Sequence, residues 1–127
     1  MLADYTPIPT LAVADLERAR AFYEGVLHLT PQGDVPEGVM YSAGSSAFLV
    51  YPSAFAGTNK ATAMAFQVPA AVFDAEAAAL RAEGVTFLTF DLPGGTWEDG
   101  VASFDGQGKA AWFEDPDGNI LNIEYMG

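Results

Sequence analysis

The sequence predicts an α+β fold: two tandem βαβββ modules forming a curved mixed sheet with a cleft, and helices on the outer face. Two observations predict it. A strand, a helix and about three further strands occur twice, with "LAVADLERARAFYEGVLHL" and "FQVPAAVFDAEAAALRAEGVTF" at matching positions in the two halves. Half of the 127 residues are apolar and 13% aromatic, enough to build one core without staples. Each half alone is too small to bury a stable core, so the halves must share one. The boundaries follow as 1–57 and 58–127, a single domain of two modules.

In the first module Thr6–Val13 is strand-like, with Pro7 and Pro9 confining its early part to an edge. Asp15 is an N-cap and Glu17 suits the positive end of a helix dipole. Leu16, Ala19, Tyr23, Val26 and Leu27 then recur at helical spacing over about three turns. His28 sits where the helix must stop, a place that favours the left-handed conformation. Strands are expected at 30–32, 39–42 and 47–51, punctuated by Gly33, Pro36-Glu37-Gly38 and Gly44-Ser45-Ser46. Residues 52–61 have linker composition.

The second module opens on "TAMAFQV", a strand, followed by an Ala-rich helix over 70–83 that Gly84 closes. Further strands are expected at 85–90, 100–104, 110–114 and 120–125. "DLPGGTWEDG" reads as a Gly-rich loop carrying Trp97, either a lid or a surface or dimer contact. Asp115-Pro116-Asp117-Gly118 is a tight turn between the last two strands. In the last strand Asn122 stands out, since Asn is a poor strand former and a buried amide needs partners.

Composition excludes several functions. There is no Cys, hence no disulfide, thiolate nucleophile or Cys-based zinc site. Five Lys and Arg against seventeen Asp and Glu give a net charge of −12, which opposes nucleic-acid and anionic-membrane binding. The acidity either solubilises the surface or attracts a cationic small molecule. No signal peptide or membrane span is visible, and a cytoplasmic protein is expected. The single His, at a helix end, leaves no Ser-His or Cys-His arrangement.

Two motifs, "VADLERARAFYEGVL" (13–27) and "FEDPDGNILNI" (113–123), resemble the vicinal-oxygen-chelate superfamily of glyoxalases, bleomycin resistance proteins and extradiol dioxygenases. With the duplicated module between them, the resemblance covers essentially the whole chain. It implies a divalent-metal site on inner sheet faces, built from His, Gln or Glu. The matching positions are Ile8, Ala63, Val50 and Asn122. Ile, Ala and Val cannot bind a metal, and one neutral amide does not suffice. The expectation is therefore no metal and no cofactor, with a displaced site near Glu124 and Asp4 as the alternative.

Period-two alternation assigns the faces independently. Leu11, Val13, Met64, Phe66, Val68, Phe113, Leu121 and Ile123 should face the helices. Thr10, Ala12, Ala63, Ala65, Gln67, Trp112, Asn122 and Glu124 should face the cleft, leaving room for a ligand. Trp112 is either a stacking platform or a core Trp with its N–H satisfied. Phe55 lines the same opening.

The resulting expectation is a metal-free protein, closest to the bleomycin-resistance branch, that sequesters an aromatic or cationic compound, as a homodimer. The alternatives are a glyoxalase- or dioxygenase-type enzyme with displaced ligands, a metal-free enzyme using Glu124 as base, and a purely structural module.

Overall fold

Pro7 and Pro9 supply no backbone N–H, and the first strand begins only after them, as β1 (Thr10–Val13). Ile8 therefore lies before the strand rather than on it. The computed structural model describes residues 1–126 and divides into two compact units, the first Met1–Thr58 and the second starting at Asn59.

In the first unit α1 (Leu16–Arg20) starts at Asp15, whose carboxylate accepts the Arg18 N–H. The helix continues as a wider π-type turn over Ala21–Val26, closed by Leu27 N–H donating to the Phe22 carbonyl. His28 ends it with φ 59°, the left-handed conformation expected there. Strands β2 (Thr30–Val35), β3 (Gly38–Ala43) and β4 (Ser46–Pro52) follow. The sheet order is β1-β4-β3-β2, with β1 parallel to β4 and the other pairs antiparallel. Leu11, Val13, Val39, Tyr41, Phe48 and Val50 form the buried face, against Ala19 and Tyr23 of the helix. Tyr23, Tyr41 and Phe48 pack ring to ring at 5.6–5.7 Å.

Within that ring cluster the Tyr41 hydroxyl donates to Glu24 Oε2 at 2.8 Å. The same carboxylate oxygen lies 3.1 Å from Arg20 Nε. Burial, then the hydrogen bond to Glu24 and its charge, push the Tyr41 phenol well above its ordinary value of 10. Above pH 10 the unfolded chain releases this proton while the folded protein keeps it. The unfolded state then binds fewer protons, so stability must fall as pH rises. Denaturant melts between pH 9 and 11 should show stability declining by up to about 1.4 kcal/mol per pH unit for this group. Tyr41→Phe should flatten that component.

The second unit repeats the pattern. β5 (Thr62–Gln67) leads through a short turn to α2 (Phe73–Ala82), which Gly84 closes at φ 90°. β6 (Thr96–Glu98), β7 (Val101–Ser103), β8 (Gly108–Glu114) and β9 (Ile120–Met126) complete a sheet of order β5-β9-β8-β7-β6. Here too the opening strand is parallel to the closing one, β5 to β9. The strands thus form two hydrogen-bonded sheets, one per unit. Leu121, Ile123, Phe113 and Ala111 are buried on the face that carries α2, with Phe73 and Ala77 of the helix.

Two expectations fail in this unit. Residues 85–90 form no strand and contribute a single bridge, Leu88 to Trp112. "DLPGGTWEDG" is not an open loop, because Thr96–Glu98 pairs with Val101–Ser103 around Asp99-Gly100. Both turn residues have positive φ, 52° and 79°, as a two-residue hairpin requires.

The 115–118 turn is as expected. Gly118 N–H donates to the Asp115 carbonyl, with Gly118 at φ 82°. Asp115 is 4% exposed, and its carboxylate accepts from the N–H groups of Asp117 and Asn119 and from Asn119 Nδ2, all within 2.9 Å. A buried charge so satisfied is tolerable, and it fixes the β8–β9 register. Among the described residues no helix is long and apolar enough to cross a membrane.

Candidate functional site

The face of the second sheet turned away from α2 carries the site. Cross-strand pairing places its side chains in two rows. One runs Trp112–Asn122–Ala65 across β8, β9 and β5. The next runs Trp97–Ala102–Ala110–Glu124–Gln67 across the whole sheet. Trp97, read as part of a loop, is therefore held on a strand, and its indole N–H donates to the Phe90 carbonyl at 3.1 Å.

Three aromatic rings meet here. Phe90 packs edge-on against Trp97 at 5.3 Å and against Trp112 at 4.9 Å, and the two indoles lie 6.0 Å apart. Ala102 and Ala110, at 0% and 3% exposure, are small enough to sit beneath large neighbours. Phe90 stays 43% exposed. Its role was not visible in the sequence, because the segment that presents it pairs at one residue only.

Beside the rings is a polar set. Glu124 Oε2 accepts from Gln67 Nε2 at 2.8 Å, and Glu124 Oε1 accepts from Asn122 Nδ2 at 2.9 Å. Asn122 is 3% exposed and its Oδ1 has no hydrogen-bond partner. An unmatched buried carbonyl costs about 1–3 kcal/mol. The Trp112 N–H is satisfied, donating to Thr62 Oγ1 at 3.1 Å.

A bulge accounts for Thr62. Thr62 lies opposite Ile120 and Met64 opposite Leu121, so Ala63 is the extra, unpaired residue. Strict alternation put Ala63 on the ligand-side face; the bulge displaces it, and Thr62 is the residue that shares a face with Asn122. Nothing in the small-residue alternation of "ATAMAF" (61–66) marks such an insertion.

The remaining expected residues belong to the first unit. Val50 is 0% exposed in the core, so it does not line a ligand-side face; one residue of register separates it from Leu49 and Tyr51, which point the other way. Thr10 is exposed at the start of β1, Ile8 is 39% exposed before it, and Phe55 is 77% exposed in the turn after β4. These four are not part of the side-chain group described above.

The donor set does not fit a metal. Ile8, Val50 and Ala63 offer no side-chain donor, Asn122 offers one neutral oxygen, and each Glu124 oxygen already accepts an amide N–H. A hard divalent cation needs about six oxygen ligands, several of them anionic. Among the described residues no three His, Asp or Glu side chains gather to supply them. A substrate proton would likewise compete with two amide donors for Glu124.

The sequence profile of the Glyoxalase/Bleomycin resistance protein/Dioxygenase superfamily matches residues 7–123. The chain belongs to this superfamily. No curated protein sequence matches it significantly. Solved structures of the superfamily fold are similar over nearly the full length. The fosfomycin resistance protein FosX from Mesorhizobium loti matches with TM-score 0.68 and 18% identity, covering 98% of this chain and 93% of that one. A FosX variant from Listeria monocytogenes, complexed with Mn(II) and a dihydroxypropylphosphonic acid, matches with TM-score 0.74 and 15% identity, covering 97% and 92%. Lactoylglutathione lyase from Agrobacterium tumefaciens matches with TM-score 0.67 and 17% identity, covering 95% and 92%. At these identities the likeness shows the glyoxalase fold alone, since one fold hosts many chemistries.

Proposed function

We propose that this superfamily member is a metal-free binding protein that sequesters a flat aromatic or cationic compound, antibiotics included, and acts as a homodimer. The observation that carries the reading is the meeting of Phe90, Trp97 and Trp112 with the Glu124 carboxylate on one sheet face. Aromatic rings beside a carboxylate attract flat cations through stacking, cation–π and charge. The FosX complex above holds a phosphonic acid, but the two rows of this face contain no Lys or Arg to receive an anion. The net charge of −12 favours cations further.

A thermal-shift series tests this. A bleomycin-type glycopeptide or an acridinium dye should raise the melting temperature, by an amount equivalent to about 2.7 kcal/mol at a hundredfold excess over Kd. Mn(II), Zn(II) and Ni(II) should leave it unchanged. A tightly held stoichiometric metal in the untreated protein would overturn the proposal.

A further inference from the structure

We infer that Asn122 is the recognition point of this site, that the ligand group it takes is a cationic N–H donor on a flat ring, and that Trp112 is a roof that must swing aside to admit it. The inference rests on the binding reading above and names the ligand class.

The direction of the Asn122 amide is not arbitrary. Its partner Glu124 is a carboxylate and can only accept, so the amide must turn its N–H toward it and its oxygen away. Flipping the amide would set a carbonyl against a carboxylate and leave the NH₂ unpaired instead. Asn122 Oδ1 therefore remains an acceptor in need of a donor. No donor among the described residues reaches it: Gln67 Nε2 donates to Glu124 and Trp112 Nε1 to Thr62. Only an incoming N–H or O–H can fill the vacancy, and Glu124 beside it selects for positive charge.

Trp112 stands on β8 and Thr62 on β5, with β9 between them. Adjacent strands are about 4.8 Å apart, so the hydrogen bond between these two residues carries the indole across β9, on the face that holds Asn122. That places the ring over the residue directly opposite it, which accounts for burial of Asn122 while Ala65, its neighbour on β5, is exposed. Its side-chain hydrogen bond goes to an exposed threonine, and the rest of its hold is ring packing against Phe90 and Trp97, contacts of a kind that a ligand ring can replace. A moved indole can then stack on the ring of the ligand whose N–H meets Asn122.

Benzamidine, phenyltrimethylammonium and benzoate separate the parts of the inference in a tryptophan-fluorescence titration. Benzamidinium is flat and cationic and donates N–H; phenyltrimethylammonium is aromatic and cationic without an N–H; benzoate is flat and anionic. Benzamidinium should bind about tenfold tighter than phenyltrimethylammonium, the worth of one good hydrogen bond, and benzoate should not bind. Asn122→Leu should erase that advantage, so that the two cations bind with a ratio near one. Thr62→Val, which frees the roof, should tighten benzamidinium several-fold. Equal binding of the two cations by the wild-type protein overturns the inference without any variant, and leaves the sequestration reading standing. So does binding of an acridinium dye with no binding of benzamidinium. If no aromatic cation changes emission or melting, both fall.

Discussion

Phe113→Ala is expected to cost about 3–5 kcal/mol and to lower the melting temperature by roughly 10–20 °C. Phe113 is 1% exposed, pairs across from the fully buried Leu121, and faces the ring of Phe87 at 6.5 Å. Truncation there leaves a void that strands fixed on both sides cannot close. Its neighbour Trp112 gives the contrast. The indole is larger, yet it lies on the other face of β8 and remains partly exposed. Trp112→Ala should therefore destabilise less than Phe113→Ala while abolishing ligand-induced thermal shifts. Circular-dichroism melts of both variants, with and without an acridinium dye, check this. Loss of stability in the opposite order would mean that the ring-bearing face is core rather than site.

Gly38→Ala is expected to destabilise by about 3 kcal/mol, at the upper end of overpacking effects. A Cβ at Gly38 would run into the carbonyl oxygen of Val50 and come within 2.9 Å of the Tyr51 Cα. Both are backbone atoms of β4, so no rotamer change relieves the contact, and β3 must separate from β4 where the core begins at Val39 and Val50. Gly33→Ala is the control. Nothing lies within 4 Å of a Cβ there, and alanine should be neutral or slightly stabilising in a strand. Urea denaturation of the two variants should differ in midpoint with similar slopes.

Much of this architecture could be read in the chain, and the misses share causes. The helix from Leu16 was legible because Asp15 caps it and apolar residues recur on one face. The duplicated order was legible because each strand and helix changes hydrophobic period. The β6–β7 hairpin was missed although Asp99-Gly100 signals such a turn; two three-residue strands carry too little alternation to stand out. Ala63 was misplaced because a bulge leaves no compositional mark when its neighbours are small. Val50 was misplaced because a one-residue error in register moves a side chain to the opposite face.

Asn122 shows where the division falls. The sequence alone determined that a polar residue interrupts the last strand, that no His or carboxylate accompanies it at the positions where the superfamily resemblance implies metal ligands, and that the chain is strongly acidic. These are properties of residue identity and spacing. The tertiary structure alone decided that its Nδ2 is spent on Glu124, that its Oδ1 is buried without a partner, and that Trp112 reaches across it to Thr62. Those relations join β5, β8 and β9, and the Trp112–Thr62 bond by itself spans 50 residues of chain. Register, bulge and hydrogen-bond accounting exist only once the strands are side by side.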